Sequence, residues 1–171
     1  FDDLIDDTDH ENKAIILDVE GSRRQMDLAE DAHSTMAAMI SSPFLGPHKG
    51  DLVSWKAKLY EVSEFLRRWL DVQALWDRLN VIFSQNRSML TVELKDFIVT
   101  QRDYFKFTTA AGECQNILQF CYGQDSDIPK IAQLAALSYR LETCRRSLSA
   151  FLNTKREEFP RFYFASDEML V

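Results

Sequence analysis

Five glycines among 171 residues are too few for a nucleotide-cradling loop or a fold of many tight turns. A phosphate-binding loop needs glycines so that backbone N–H groups can wrap the phosphates, and no G-x-x-x-x-G-K-[ST] run occurs. Proline is equally sparse, with four residues, which suits long helices. The three cysteines, Cys114, Cys121 and Cys144, have no paired spacing, so a disulfide framework is not expected and reduced cytosolic thiols are. Cys114 and Cys121 lie seven apart, on one face if a single helix carries both, where a small buried hydrophobe is the usual role. His10, His33 and His48 are far apart, without partners at zinc-ligand spacing or a cysteine placed for catalysis. No run of 18 apolar residues is present, so no membrane span is expected.

Positive charge is also short. Residues 1–51 carry 12 acidic and 4 basic side chains, whereas residues 52–171 carry 15 and 16, so the net charge of −7 is an N-terminal property. No basic face for nucleic acid is expected. The segment Asp7-Thr8-Asp9-His10-Glu11 resembles a calcium loop only loosely. Asn12 stands where the loop needs glycine, and Asp18 where it needs a bidentate glutamate. A solvated acidic segment over residues 1–22 is the expectation, with a helical region over 23–171.

What the chain has in abundance is helical patterning. Trp55, Val62, Trp69, Trp76 and Phe83 recur at steps of seven. A companion row runs at Leu52, Leu59, Leu66, Gln73 and Asn80. The alternating three- and four-residue steps predict one long helix over 47–83 with a seam against a partner helix. Gln73 and Asn80 on that seam either fix register or face water at its frayed end. The Arg67-Arg68 and Arg145-Arg146 pairs read as solvated helix faces.

Around this helix the elements follow from local signals. Ala14–Val19 reads as a short strand or as the lead-in to a helix. Ser22 can cap a helix over 23–40, with Met26, Ala29, Ala32, Met36 and Met39 on one face. Two prolines and a glycine within residues 43–47 predict a turn. A third helix is expected from Thr91 to Ala110–Gly112, with Leu94, Phe97, Ile98, Gln101, Phe105 and Thr108 inward. A short fourth helix covers Ile117–Cys121. Asp127 can cap a fifth over 128–157, where Leu134, Leu141 and Leu148 repeat at seven beside Ile131, Ser138, Arg145 and Leu152. Pro160 stops it. The fold expected is therefore all-α, an elongated bundle whose two heptad-patterned helices pack along each other with the third beside them. The start at Phe1 and the helix-start signal Ser166-Asp167-Glu168 near the end suggest a piece of a longer polypeptide.

These residues together resemble the linker region of dynein heavy chains. The resemblance rests on Ser42-Pro43-Phe44, Trp55 with Lys58-Leu59, Trp69-Leu70-Asp71-Val72-Gln73, Trp76 and Ile82-Phe83, in that order. It continues at Glu93 and Phe97, at Lys155-Arg156, and at Phe159-Pro160-Arg161-Phe162-Tyr163-Phe164. It covers roughly residues 25–171. It departs at Asp77-Arg78-Leu79 and at Tyr104-Phe105, where many members carry a different aromatic pattern. The tail and the Asp71-Val72-Gln73 step lean towards cytoplasmic members over axonemal ones.

The resemblance implies a mechanical role with no catalytic residue, metal or cofactor in this stretch. Such a linker lies across an AAA+ ring and bends and straightens as the ring hydrolyses ATP with magnesium. Its implied partners are the rest of the linker and the ring of the same heavy chain. The parent works minus-end-directed on microtubules with other dynein subunits, in the cytoplasm and cytoskeleton or in an axoneme or cilium. A helical scaffold of spectrin type is the other reading, but no internal repeat relates 23–83 to 94–157. A small helical enzyme would need converging acid, base or metal groups, and none is apparent.

Overall fold

Asp18 opens the first helix. In this computed structural model, which describes residues 16–85, 91–114, 116–122 and 129–158, α1 spans Val19–Ile40. Asp18 is extended, with φ −65° and ψ 113°, and its carboxylate accepts from the Glu20 N–H at 3.1 Å. The helix thus starts four residues before the position expected from Ser22. A Cβ on Gly21 would meet Asp18 Oδ2 at 2.5 Å, so glycine leaves room for the cap. Of the two readings for 14–19, the described part supports the lead-in: residues 16–18 are not strand and Val19 is already helical.

Ser41 closes α1, with its hydroxyl donating to Ala37 O at 3.0 Å. Gly46, at φ 55°, turns the chain into a single 3-10 turn at Gly46–His48. Pro47 occupies its first positions, where a missing N–H costs nothing. Then α2 runs from Lys49 to Gln85, 37 residues and about 55 Å. The remaining helices are α3 (Thr91–Cys114), α4 (Ile117–Tyr122) and α5 (Lys130–Glu158). All the described residues are helix, turn or coil, as an all-α bundle requires. Gly112, expected to stop α3, lies inside it. Ala111 packs on the core there, and packing outweighs the roughly 1 kcal/mol propensity cost of one glycine. Cys114 therefore ends α3 while Cys121 lies in α4, and the two do not share a helix.

Helix α2 serves two layers. Its first part pairs antiparallel with α1, because Leu17 meets Gln73 and His33 meets Tyr60. Its second part pairs antiparallel with α3, where Phe83 meets Phe97 and Trp76 meets Tyr104. Helix α5 then lies antiparallel to α3, tied by an Arg140–Asp103 ion pair, and packs on α2 as well. The core is the three-helix region of α2, α3 and α5, with α4 closing one end.

The two-sided role of α2 corrects the expected rows. Val62, Trp69, Trp76 and Phe83 are buried, but their buried companions are Phe65, Val72 and Leu79. Leu52, Leu59 and Leu66 are half-buried, on the flank that α1 covers. Trp55 is 48% exposed, against 3% for Trp69. It stands beyond the reach of α4, whose Tyr122 meets α2 at Glu61. On α5, Leu134, Leu141 and Leu148 are buried as expected, and Leu152 with them. Ile131, Ser138 and Arg145 are exposed, because the second buried row is Leu137 and Cys144. On α3 the buried face is Phe97, Thr100, Tyr104, Phe107 and Thr108, with Leu94, Ile98, Gln101 and Phe105 half-buried. That stripe is wider than expected because two helices press on it. No residue of α1 is fully buried; Met26, Ala29, Ala32 and Met36 are half-buried, whereas Met39 is exposed.

Truncating Trp69 should therefore cost far more than truncating Trp55. Trp69→Ala is expected to lower unfolding free energy by about 3–5 kcal/mol in chemical denaturation. Trp55→Ala should stay within about 1 kcal/mol, near the range of surface substitutions. Equal losses at the two sites would contradict the described packing.

Candidate functional site

The dominant feature of the chain is an aromatic seam between α2 and α3. Phe83 stacks on Phe97 with ring centroids 4.7 Å apart, and Trp76 stacks on Tyr104 at 5.0 Å. Trp69 meets Phe107 edge to face at 5.1 Å, and Phe120 of α4 closes on Phe107 at 5.4 Å. Phe65 touches Trp69, Phe107 and Phe120. Such ring pairs are each worth about 0.5–1.5 kcal/mol beyond the area they bury. Heptad spacing on α2 places one ring per two turns, and the antiparallel α3 supplies rings at matching levels. The α2 row was legible in the sequence. Its aromatic partner was not assigned there, because Tyr104 and Phe107 fall outside the face expected for α3.

The seam also encloses polar atoms. Trp69 Nε1, Trp76 Nε1 and Tyr104 Oη are buried without a hydrogen-bond partner in the structure. Burial pushes the Tyr104 hydroxyl up to about 12; the nearby Trp69 indole N–H opposes this, and Asp77 adds to it. The indole is close enough to act electrostatically but is not in hydrogen-bonding geometry. Thr100 and Thr108 satisfy their hydroxyls within α3, on Asp96 O at 2.8 Å and Phe105 O at 3.0 Å.

Gln73 is buried and belongs to a different contact. Its Oε1 accepts from the Leu17 N–H at 2.9 Å, and its Nε2 donates to the Leu17 carbonyl at 3.0 Å. One side-chain amide thus replaces a backbone partner and clamps the start of α1 to the middle of α2. Asn80, one helical step on, accepts from Gln101 Nε2 of α3 at 3.2 Å. Both polar seam residues make interhelical bonds, and neither lies at a frayed end.

At the α4 end, Tyr122 donates to Glu61 at 2.5 Å, while the Lys58 ammonium lies 5.2 Å from the Trp55 ring and 5.8 Å from that of Tyr122. Burial, then Glu61, holds the Tyr122 hydroxyl well above its ordinary value. Between α1 and the α3–α4 corner lies an apolar cavity of about 430 Å³, lined by Leu17, Leu66, Trp69, Ile117 and Phe120 among others.

None of this assembles reactive chemistry. Burial pushes the Cys121 thiol up to about 11 and raises that of Cys144, the opposite of an activated nucleophile. No cluster of three potential metal ligands occurs among the described residues. No described helix is long and apolar enough to cross a membrane. Arg67 pairs with Glu64, and Arg145 and Arg146 both pair with Glu142. The Arg145 hydrogen bond holds the Glu142 carboxyl below its usual range. Ser42, Pro43 and Phe44 form the turn between α1 and α2, with Phe44 95% exposed. Of Lys155 and Arg156 only the helical backbone is described, and Phe159 to Phe164 lie outside the described residues, as do most of the loose calcium-loop match and Asp127.

The model of the family described as dynein heavy chain, N-terminal region 2, matches residues 5–171. The chain belongs to the dynein heavy chain family. It is 32% identical over 158 residues to the dynein gamma chain of the flagellar outer arm of Chlamydomonas reinhardtii, 91% of this chain but 4% of that protein. It is 34% identical over 147 residues, 84% of the chain and 3% of the relative, to the dynein-1-alpha heavy chain of the flagellar inner arm I1 complex of the same organism. Dynein axonemal heavy chain 8 of Homo sapiens is 32% identical over 147 residues, 84% of this chain and 3% of its own length. The chain thus spans a few per cent of the dynein heavy chains it matches. These relatives are flagellar or axonemal, so the lean of the tail motif towards cytoplasmic members finds no support in them.

Two outcomes test the site. Gln73→Leu leaves the Leu17 N–H and carbonyl unpaired, an expected loss of about 1–3 kcal/mol. Hydrogen exchange should speed in the first turns of α1 and stay unchanged in α3. Tyr104 should give an alkaline signature. Below pH 10 its hydroxyl keeps its proton in both folded and unfolded chains. Above pH 10 the unfolded chain releases it first, while the folded chain holds it to about 12. Stability should fall across that window by about 1.4 kcal/mol per pH unit, and Tyr104→Phe should remove this contribution from denaturation curves measured between pH 9 and 12.

Proposed function

We propose that this segment is a stiff, non-catalytic element of a dynein linker that carries force between the motor ring and the rest of the heavy chain. The observation that supports this most is the aromatic seam. A single 37-residue helix is tied along its second half by ring contacts to an antiparallel neighbour. Close-packed aromatic interiors have low compressibility and resist bending. The arrangement offers no converging reactive groups, so chemistry would belong elsewhere in the parent: ATP and magnesium to the AAA+ ring, and track binding on microtubules to the assembled motor. The partners would be the remaining linker, the ring and other dynein subunits. The flagellar and axonemal relatives favour an axoneme or cilium as the location, within the cytoskeleton.

The test is made in the full heavy chain. Trp76→Ala should leave ATP turnover measurable but slow microtubule gliding several-fold, because a softened element transmits less displacement per cycle. Unchanged gliding by a variant shown to be destabilised at this seam would sink the lever reading. ATP hydrolysis by the 171-residue chain itself, beyond a mutant control, would sink the non-catalytic part.

A further inference from the structure

Helix α1 covers only part of the α2 flank on which it lies. Its start is fixed at Gln73, through both backbone groups of Leu17. Beyond that point α2 continues for twelve residues to Gln85, alongside α3. In this stretch Asn80, Ile98, Gln101 and Phe105 are half-buried, with no described helix laid over them. The result is a shallow groove that prolongs the α1 track. On α3 its outer rim is basic: Arg102 lies four residues from Ile98 and three from Phe105, hence beside both on the helix surface, and Lys106 follows one turn on. Arg102 and Lys106 are exposed and have no carboxylate partner among the described residues. Asp77 is the acid on the opposite wall.

We propose that residues 1–15 of this chain occupy that groove. Three facts select this occupant. First, these residues join the structure at Ile16, beside the groove's near end, since Leu17 is held at Gln73 and Phe107 of α3 meets Trp69 one turn away. Second, residues 1–12 hold six carboxylates and no base, the complement of a rim carrying Arg102 and Lys106. Third, Phe1, Leu4 and Ile5 offer apolar side chains for Ile98 and Phe105. Length is no obstacle. The distance from Lys106 to Lys95 along α3 is about 17 Å at ~1.5 Å per residue. Fifteen residues span up to ~50 Å when extended. The segment then acts as a strap over the α2–α3 seam, held by charge at the rim and by a few apolar contacts below.

The experiment follows trypsin cleavage after Lys13, read by mass spectrometry on the intact 171-residue chain. A docked strap shields that bond. Cleavage should quicken by about fivefold or more in R102E/K106E, and in the unaltered chain at 0.5 M salt, because ionic strength screens exposed charge pairs. Helical circular dichroism should be unchanged, since both residues are exposed. A photo-reactive benzoylphenylalanine in place of the exposed Val99 gives a second readout, independent of the charge reversal. It should cross-link to a peptide from residues 1–12 of the same chain. Equal cleavage rates in the parent and the variant, at low and high salt, would overturn the proposal. So would Val99 cross-links formed with a second copy or with other parts of the chain alone.

Discussion

The position of every other helix follows from what α2 must bury. A helix that is apolar on one stripe needs one partner; α2 is apolar on two. Trp69, Trp76 and Phe83 with Phe65, Val72 and Leu79 form a stripe too wide for one neighbour, so α3 and α5 both press on it. Leu52, Leu59, Leu66 and Gln73 form a second stripe, turned away from the first, which α1 covers. Ring size sets the rest. Indole and phenyl groups stacked at 4.7 to 5.1 Å leave little freedom to slide, so the α2–α3 register is fixed by shape. The polar atoms caught in this seam show what that fit costs. Three buried donors or hydroxyls go without partners, a loss of about 1–3 kcal/mol each, which close aromatic packing must offset.

Sequence pattern revealed the helices and the first seam row because both depend on one periodicity. It was less informative wherever a helix has more than one neighbour. The companion row on α2 was read one residue late, at Leu66, Gln73 and Asn80 instead of Phe65, Val72 and Leu79. Both sets are spaced at seven, and nothing in spacing says which flank meets the larger partner. The same ambiguity moved the second row on α5 and narrowed the face of α3. Trp55 shows a different limit. It continues the heptad row faithfully, yet burial ends where α4 ends, and a pattern along one helix carries no information about the length of its neighbours. Asp18 was passed over in favour of Ser22 because both are good caps. The choice fell to tertiary contact: the Leu17 backbone is gripped by Gln73, which fixes where the extended chain must become helix.

Gln73 was singled out in the sequence, but its partner was beyond reach. A glutamine on a hydrophobic row signals a hydrogen bond to be made, and the row does not say with what. Here the amide satisfies both backbone groups of a residue 56 positions earlier. A backbone partner of that kind leaves no side-chain signature at Leu17.

The two attachments of α2 differ in kind, and that difference bears on any mechanical role. The α2–α3–α5 body is dry, aromatic and wide. To separate its helices means exposing rings across several turns at once, so it should yield cooperatively or not at all. The α1 layer is thinner: it buries no residue completely, and near its start it is held by one capping carboxylate and one glutamine. Under load such a layer should give first, because the free energy of opening it is spread over half-buried contacts. In a lever, stiffness in one layer and compliance in the next confines bending to a defined place. The sequence supports that division directly: large rings where α2 meets α3, but alanines and methionines where it meets α1. Ala29, Ala32, Met26 and Met36 fill space without locking it, as flexible thioethers and small methyls do. A segment built for uniform rigidity would carry its aromatic residues on both flanks of the long helix.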